Sequence, residues 1–389
     1  MSLQGQTGLW GGVGGGIVGG SAAPPLYDWQ TSTFLPTPAY GPGGPSTASL
    51  DSQHSGRNYS TNYFKASNGI AYVRMPYKAN YRIKVFGAYG GPSNPYDGTE
   101  STRAGRPWYL DITTEIEHGT WIGVLVGQKG GYNDGSGESG GGGGGGTFVF
   151  KVNSDEETNA TFTGAHIQTC PLTPIVVASG GNGSSWTGWV LPGVNARPQI
   201  SPASATDWIP TYAATITSPG YQNFGRGGMG GSFDYTPYWW VAPGITYWTG
   251  FDTNTKQTSG APLKDSNGKI HAESGVGGIQ DGGSYGSWPN NANSAPATAA
   301  GSHGGFGGGG GSRYEGGGGG GYWGGATNKT NDYNTLWVFG GQSYVAPGST
   351  VNATSLASSQ VTVPDSLRGT KQSYPWNANL DGSCDISEV

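Results

Sequence analysis

The sequence predicts an all-β protein, an antiparallel β-sandwich interrupted by glycine-rich insertions that pack into a rigid bundle. Two observations carry this. Short apolar stretches, rich in β-branched and aromatic residues and bounded by Gly, Pro or Asn, recur from about residue 33, and no stretch shows the apolar repeat of an amphipathic helix. The second is a set of glycine runs, 140–146, 307–311 and 316–321, each abutting large side chains. Thr147-Phe148-Val149-Phe150 follows the first, Phe306 precedes the second and Tyr322-Trp323 follows the third. A flexible linker mixes its glycines with serine and charge and keeps aromatics away. Ordering a run such as 140–146 costs on the order of 10 kcal/mol in backbone entropy, which only dense lateral packing offsets. Glycine has one such packing, the extended helix of three residues per turn (polyglycine II), whose bare backbones lie side by side and bond to each other as chains do at the collagen axis.

In chain order, residues 1–32 read as an assembly arm. No charge precedes Asp28, and Leu9, Trp10, Val13, Ile17 and Val18 are apolar points separated by glycine, unable to form a core alone. Such a segment is expected to order by docking on a neighbouring subunit. Residues 33–350 read as the glycine-rich sandwich, with strands expected over 70–75, 81–86, 121–126, 147–152, 174–178, 337–339 and 343–346. Tyr81, Ile83 and Val85 alternate with Arg82 and Lys84, the period of a strand with one face buried. Residues 351–389 read as a C-terminal strand, expected over 360–363, and a tail.

Composition narrows the function classes. Glycine supplies 76 of 389 residues, but charged residues only 11% and aromatics 12%, which is not the signature of disorder. A net charge of −5 without a basic cluster argues against a nucleic-acid partner. No apolar stretch of about 20 residues is present, so membrane insertion is not expected, and the first residues lack the basic and apolar regions of a secretory leader. Cys170 and Cys384 match no zinc spacing, and whether they pair is open. Asn-x-Ser/Thr sequons at Asn58, Asn159, Asn182, Asn328 and Asn352 read as products of composition.

Constellations that carry catalysis are nearly absent. His54, His118, His166, His271 and His303 are scattered without ligand spacing. Gly282-Gly283-Ser284-Tyr285-Gly286 matches a nucleophile elbow only by composition, because the flanking strand and helix are missing. Asp111, Glu115 and Glu117 lie on a strand–turn segment with no pattern that makes them a metal site or a catalytic pair. The expectation is a protein without catalytic residues, metal or cofactor. Binding character concentrates in 186–251, where Tyr235, Tyr238, Trp239, Trp240 and Trp248 are the candidate binding residues. Stacked aromatics beside Asp, Asn and Thr can hold a sugar ring, anchor a subunit interface, or cover the glycine bundle.

An ordered series of landmarks adds a family resemblance. It runs through Phe34…Gly41-Pro42-Gly43-Gly44-Pro45-Ser46, then Gly69-Ile70…Met75-Pro76…Tyr81-Arg82-Ile83…Gly87-Ala88-Tyr89-Gly90-Gly91. Leu125-Val126-Gly127-Gln128-Lys129-Gly130 follows, then the run 140–146 with Thr147-Phe148-Val149-Phe150-Lys151, and Pro174-Ile175-Val176-Val177-Ala178-Ser179-Gly180-Gly181. Gly304-Gly305-Phe306, two glycine runs and Gly321-Tyr322-Trp323-Gly324-Gly325 close it. Over about 33–350 this series resembles the glycine-rich extracellular region of the anaplastic lymphoma and leukocyte receptor tyrosine kinases. The resemblance implies a tumour-necrosis-factor-like jelly roll whose loops carry glycine helices. It does not imply the receptor's function, since the chain has no kinase domain or membrane span and lacks the family's extra cysteines. Similar glycine-rich domains occur in phage and marine-virus structural proteins, and the tail-fibre-tip adhesins of T-even-like phages resemble this chain in strategy. The expectation is therefore a non-enzymatic virion protein, a tail-fibre adhesin or particle-surface subunit located on an extracellular particle. It would assemble with other virion subunits, as a homo-oligomer or larger assembly, and present loops to a host-surface glycan or protein. The alternative is a bacterial or environmental cell-surface or filament protein.

Overall fold

The computed structural model describes residues 25–29, 31–35, 44–60, 62–67, 69–91, 105–131, 141–152, 172–183, 241–242, 245–246, 263–264, 270–272, 303–311, 316–322, 324–325, 340–356 and 381–389. The elements are β1 (Ser32–Phe34), α1 (Thr47–His54), β2 (Phe64–Ser67), β3 (Ile70–Arg74), β4 (Ala79–Phe86), β5 (Trp108–Ile116), β6 (Trp121–Leu125), β7 (Thr147–Val152) and β8 (Leu172–Ala178). Two small hairpins follow, β9 (Val241–Ala242) with β10 (Ile245–Thr246), and β11 (Leu263–Lys264) with β12 (Ile270–Ala272). The chain closes with β13 (Tyr344–Val345), β14 (Thr350–Leu356) and β15 (Ser383–Glu388).

The strands build two antiparallel sheets, one in the order β1-β15-β4-β5-β14 and one in the order β13-β8-β7-β6-β3-β2. The expected strands 70–75, 81–86, 121–126, 147–152, 174–178 and 343–346 all fall on observed ones, while 337–339 and 360–363 lie outside the described residues. In β4 the alternation does what its chemistry requires. Tyr81, Ile83 and Val85 are buried, and Arg82 projects to solvent. With Leu110, Ile112, Cys384 and Ile386 they face Val73, Ile122, Val124, Val149 and Val176 across the main core. Cys384 is a free, fully buried thiol there, and burial pushes its pKa well above the usual value.

The second sheet differs. Its central strands β3, β6 and β7 are mainly apolar runs with both faces buried: Val149 enters the main core, while Phe148 and Phe150 join Ile70, Tyr72, Trp121, Leu125 and Val177 on the opposite side. Gly123 makes room for this, because a Cβ there would strike the Phe150 ring.

Helix α1 has no counterpart in the sequence reading. Ser46 caps it, its hydroxyl accepting from the Ser49 amide at 3.1 Å, yet only Leu50 and His54 of the helix are buried. Two apolar contacts make no recognisable stripe. The folded unit also starts earlier than the arm boundary after residue 32. Tyr27 and Trp29 pack on the core, Tyr27 stacks on Tyr63 at 5.0 Å, and Ser32 pairs with Ile386. Leu9, Trp10, Val13, Ile17 and Val18 lie outside the described residues.

Strand direction gives the sandwich two poles. At the base lie the β3–β4 and β5–β6 turns; Leu26 donates to Pro76 and Val389 to Asn80, each at 3.0 Å, so residues 25–29 and the last residue sit here together. At the other pole β4, β6 and β8 end and β5, β7 and β15 begin. The glycine-rich segments leave from that pole.

Candidate functional site

Backbone alone builds most of this region. Residues 141–146 run through its middle, buried throughout, and the amides of 142–146 and the carbonyls of 141–145 all find partners on other chain segments. The amides of Gly142 and Gly145 donate to Gly131 and Gln128, those of Gly143 and Gly146 to Gly310 and Gly307, and that of Gly144 to Gly181. The carbonyls of Gly142 and Gly145 accept from Gly91 and Ala88, those of Gly141 and Gly144 from Gly317 and Gly320, and that of Gly143 from Gly305. Partners on one neighbouring segment therefore recur every third residue. The neighbours bond among themselves: Gly181 to Ala88, Gly180 to Gly320, Gly310 to Gly318 and Gly130 to Tyr89. Buried backbone polar groups carry a large penalty when unpaired, and here the segments satisfy one another.

The packing admits no side chain. A Cβ on Gly143 would collide with the Gly318 carbonyl, on Gly145 with that of Phe306, on Gly183 with that of Gly141, and on Gly317 with that of Gly310. Every obstacle is backbone held by hydrogen bonds, so none can swing aside. Phe306 is the large side chain at the inner end. The chain reverses there through Gly307 (φ 94) and Gly308 (φ 83), and the ring fills the space where a Cβ on Gly44 or Gly69 would stand.

Polar side chains fasten this region to the sandwich. Thr147 donates from its hydroxyl to the Phe86 carbonyl at 2.6 Å and accepts from the Gly127 amide at 3.1 Å. The Ser179 and Ser343 hydroxyls meet at 2.8 Å, and Asp381 accepts from the Lys129 amide at 2.8 Å. Burial raises the Asp381 pKa, partly countered by that amide and the Lys129 charge.

The outer end is equally well defined. Gly131 donates to His303, Gly91 to Gly142, Gly105 to Asn182, Gly317 to Gly141 and Gly183 to Gly317. These residues border 92–104, 132–140, 184–302 and 312–315, so all four connections leave and return at one tip. The expected binding residues Tyr235, Tyr238, Trp239, Trp240 and Trp248 belong to the longest of them and lie outside the described residues, as does the Gly282–Gly286 motif.

Isolated glycines carry as much of the network as the runs do. Gly87 and Gly90, Gly127 and Gly130, and Gly180 and Gly183 each sit three apart, the spacing that puts both on one side of a three-residue turn. That repeat is the signal that finds them.

Asp111, Glu115, Glu117 and His54, singled out in the sequence, have structural partners. Asp111 is buried; burial opposes its charged form, but bonds from Arg82 (2.7 and 2.9 Å) and Asn352 (3.1 Å) outweigh this and hold its pKa below the usual carboxylate value. Glu115 and Glu117 pair with Lys78 at 3.0 and 2.8 Å at the exposed base. His54 is buried against Phe34 and Phe64, its Nδ1 3.0 Å from the Tyr59 hydroxyl. Asn182 is buried, so that sequon is closed to glycan. Among the described residues no group of three or more His, Cys, Asp or Glu side chains is placed to hold a metal ion. Compared with known proteins, the chain matches no family model and no curated sequence.

Proposed function

We propose that this chain is a non-enzymatic structural protein of a virion, a tail-fibre adhesin or particle-surface subunit. In this reading its jelly-roll sandwich carries a bundle of polyglycine II helices that presents loops to a host surface. The observation that carries it is the polarity of the molecule. Four connections leave and return at the tip of the glycine region, while residues 25–29, which continue the N-terminal arm, lie at the opposite pole. One end is thus free to hold an assembly while the other faces outward. The third-residue recurrence of hydrogen-bond partners along 141–146, and the exclusion of any Cβ, support the three-residue helix over an irregular coil. The same packing favours presentation, because a rigid platform spares the loops part of the ordering cost on binding.

Two deletions test this. Gly90 bonds to Gly105, so residues 92–104 can be replaced by a short Gly-Ser bridge without stretching the platform. That variant should enter the particle and lose adhesion to host cells, whereas deletion of residues 2–20 should leave a folded protein that no longer enters the particle. Normal adhesion by the first, or normal incorporation of the second, rejects the proposal. Native protein found on a bacterial surface, and not in particles, favours the filament alternative.

A further inference from the structure

Residues 25–29 and 31–34 lie on the sandwich as a strap, gripped by the end of α1 and the loop that follows it. Arg57 donates to the Thr31 carbonyl at 3.1 Å and Asn58 to that of Asp28 at 2.7 Å. Beneath these, the Ser32 and Tyr59 hydroxyls meet at 2.9 Å, and the Tyr59 hydroxyl lies 3.0 Å from Nδ1 of His54. The His54 ring packs on Phe34 of the strap and Phe64 of β2, with ring centres 4.8 and 4.7 Å away. Ser32, Phe34, His54, Tyr59 and Phe64 are all at most 8% exposed. The strap's hold on its own sheet is brief, since β1 pairs with β15 over 3 residues.

Neutral imidazole suits this site and imidazolium does not. Nε2 of His54 is buried and has no hydrogen-bond partner among the described residues. In the neutral ring it stands as a bare lone pair while Nδ1–H donates to Tyr59. A proton on Nε2 would be a buried, charged donor without an acceptor, which an apolar surrounding penalises heavily. The groups packed around the ring offer no compensation. β1, β2 and β3 bring Phe34, Phe64 and Val73 to this part of the core, and Tyr59 brings a hydroxyl. Asp51, one turn earlier on α1, is exposed, and the charge that acts on the ring is the Arg57 guanidinium, of like sign. Burial first and Arg57 second hold the ring neutral well below its ordinary range.

We propose that His54 is an acid-operated latch: when its ring gains a proton, the strap lifts off the sandwich while the two sheets stay folded. The strap is the part around the ring that opens at least cost. Lifting β1 takes Phe34 off the ring, parts Ser32 from Tyr59 and admits water to Nε2, at the loss of one short edge strand. Reaching the ring from the other side would mean opening β2, paired with β3 over 4 residues. Such a release would operate whatever the protein attaches to.

Cys384 supplies a reporter, because it lies opposite Phe34 in the β1–β15 register and is fully buried. In a Cys170→Ser background it is the one thiol of the chain, and 4,4′-dithiodipyridine reads its accessibility at both pH 7 and pH 4. Each rate is divided by that of the unfolded chain at the same pH. Accessibility should then rise about a hundredfold from pH 7 to pH 4, as follows for a ring that titrates at 6.5 when released and at about 4 when latched. In His54→Gln the rise should shrink to less than about threefold. A rise as large as the parent's overturns the proposal, because another group at the seam, such as Asp385 bonded to Thr33 at 2.6 Å, would then carry it. In case that variant does not fold, the parent gives a second reading. Hydrogen exchange at pH 4, corrected for intrinsic rates, should show protection lost in 25–35 and kept in β7. Protection lost in both, or in neither, overturns the proposal.

Discussion

At Gly143, replacing one hydrogen by a methyl group would drive it into the Gly318 carbonyl, which belongs to a segment itself bonded on other sides. Ordinary overpacking costs about 1–3 kcal/mol because neighbouring side chains shift; here only backbone is available to move. Gly143→Val should therefore leave no folded protein, whereas Gly56→Ala, where nothing lies within 4 Å, should change the unfolding free energy by less than about 0.5 kcal/mol. Circular dichroism through a denaturant titration distinguishes the two. His54 makes a second residue-scale prediction. Burial first, and the nearby Arg57 charge second, lower its pKa from 6.5 to about 4. The unfolded chain takes up this proton near 6.5 and the folded one only near 4. The stabilisation is thus complete above pH 6.5, is lost as the pH falls to 4, and changes no further below that. A shift of this size corresponds to about 3 kcal/mol. His54→Gln should remove the stability difference between pH 7 and pH 4 that this group contributes, as read from midpoints at the two pH values.

At the scale of elements, the glycine segments contribute by hydrogen bonding what they lack in side-chain contact. Amides 142–146, each bonded to another segment, should exchange as slowly as those of β7, which continues from them. Exchange at random-coil rates across 142–146 contradicts an ordered network. The sequence exposed part of this arrangement. Aromatics flanking the runs signalled order, and β4 and β7 announced their burial, one by strict alternation and the other by an unbroken apolar run. What stayed hidden is non-local. The partners of 141–146 come from near residues 90, 130, 181, 307 and 318, and no local pattern says that such distant stretches meet. β15 slips between β1 and β4, so the C-terminal strand completes a sheet begun more than three hundred residues earlier (|i−j| is 352 for Thr33 and Asp385). α1 escaped notice because Leu50 and His54 are its whole buried face. The candidate binding aromatics were legible as composition only, since their spacing follows neither a strand nor a helix.

For the molecule as a whole, the placement of the chain ends sets how it would respond to force. Residue 25 and Val389 emerge at the same pole, and β1 and β15 leave it side by side as antiparallel neighbours, with Ser32 opposite Ile386 and Phe34 opposite Cys384. Pulling those two ends apart peels β1 from β15 one bonded pair at a time. A pull between residue 25 and the tip connection 132–140 acts differently. The load then runs lengthwise along β1 and β15, across the sheets and out through the glycine segments, so that many backbone hydrogen bonds are sheared together. Single-molecule extension with handles at 25 and within 132–140 should record a higher unfolding force than extension with handles at 25 and 389. Equal forces in the two geometries would mean that the load does not pass along the strands. A protein anchored at its base and tugged at its tip would thus be loaded along its strands, with the short β1–β15 seam spared the peeling geometry.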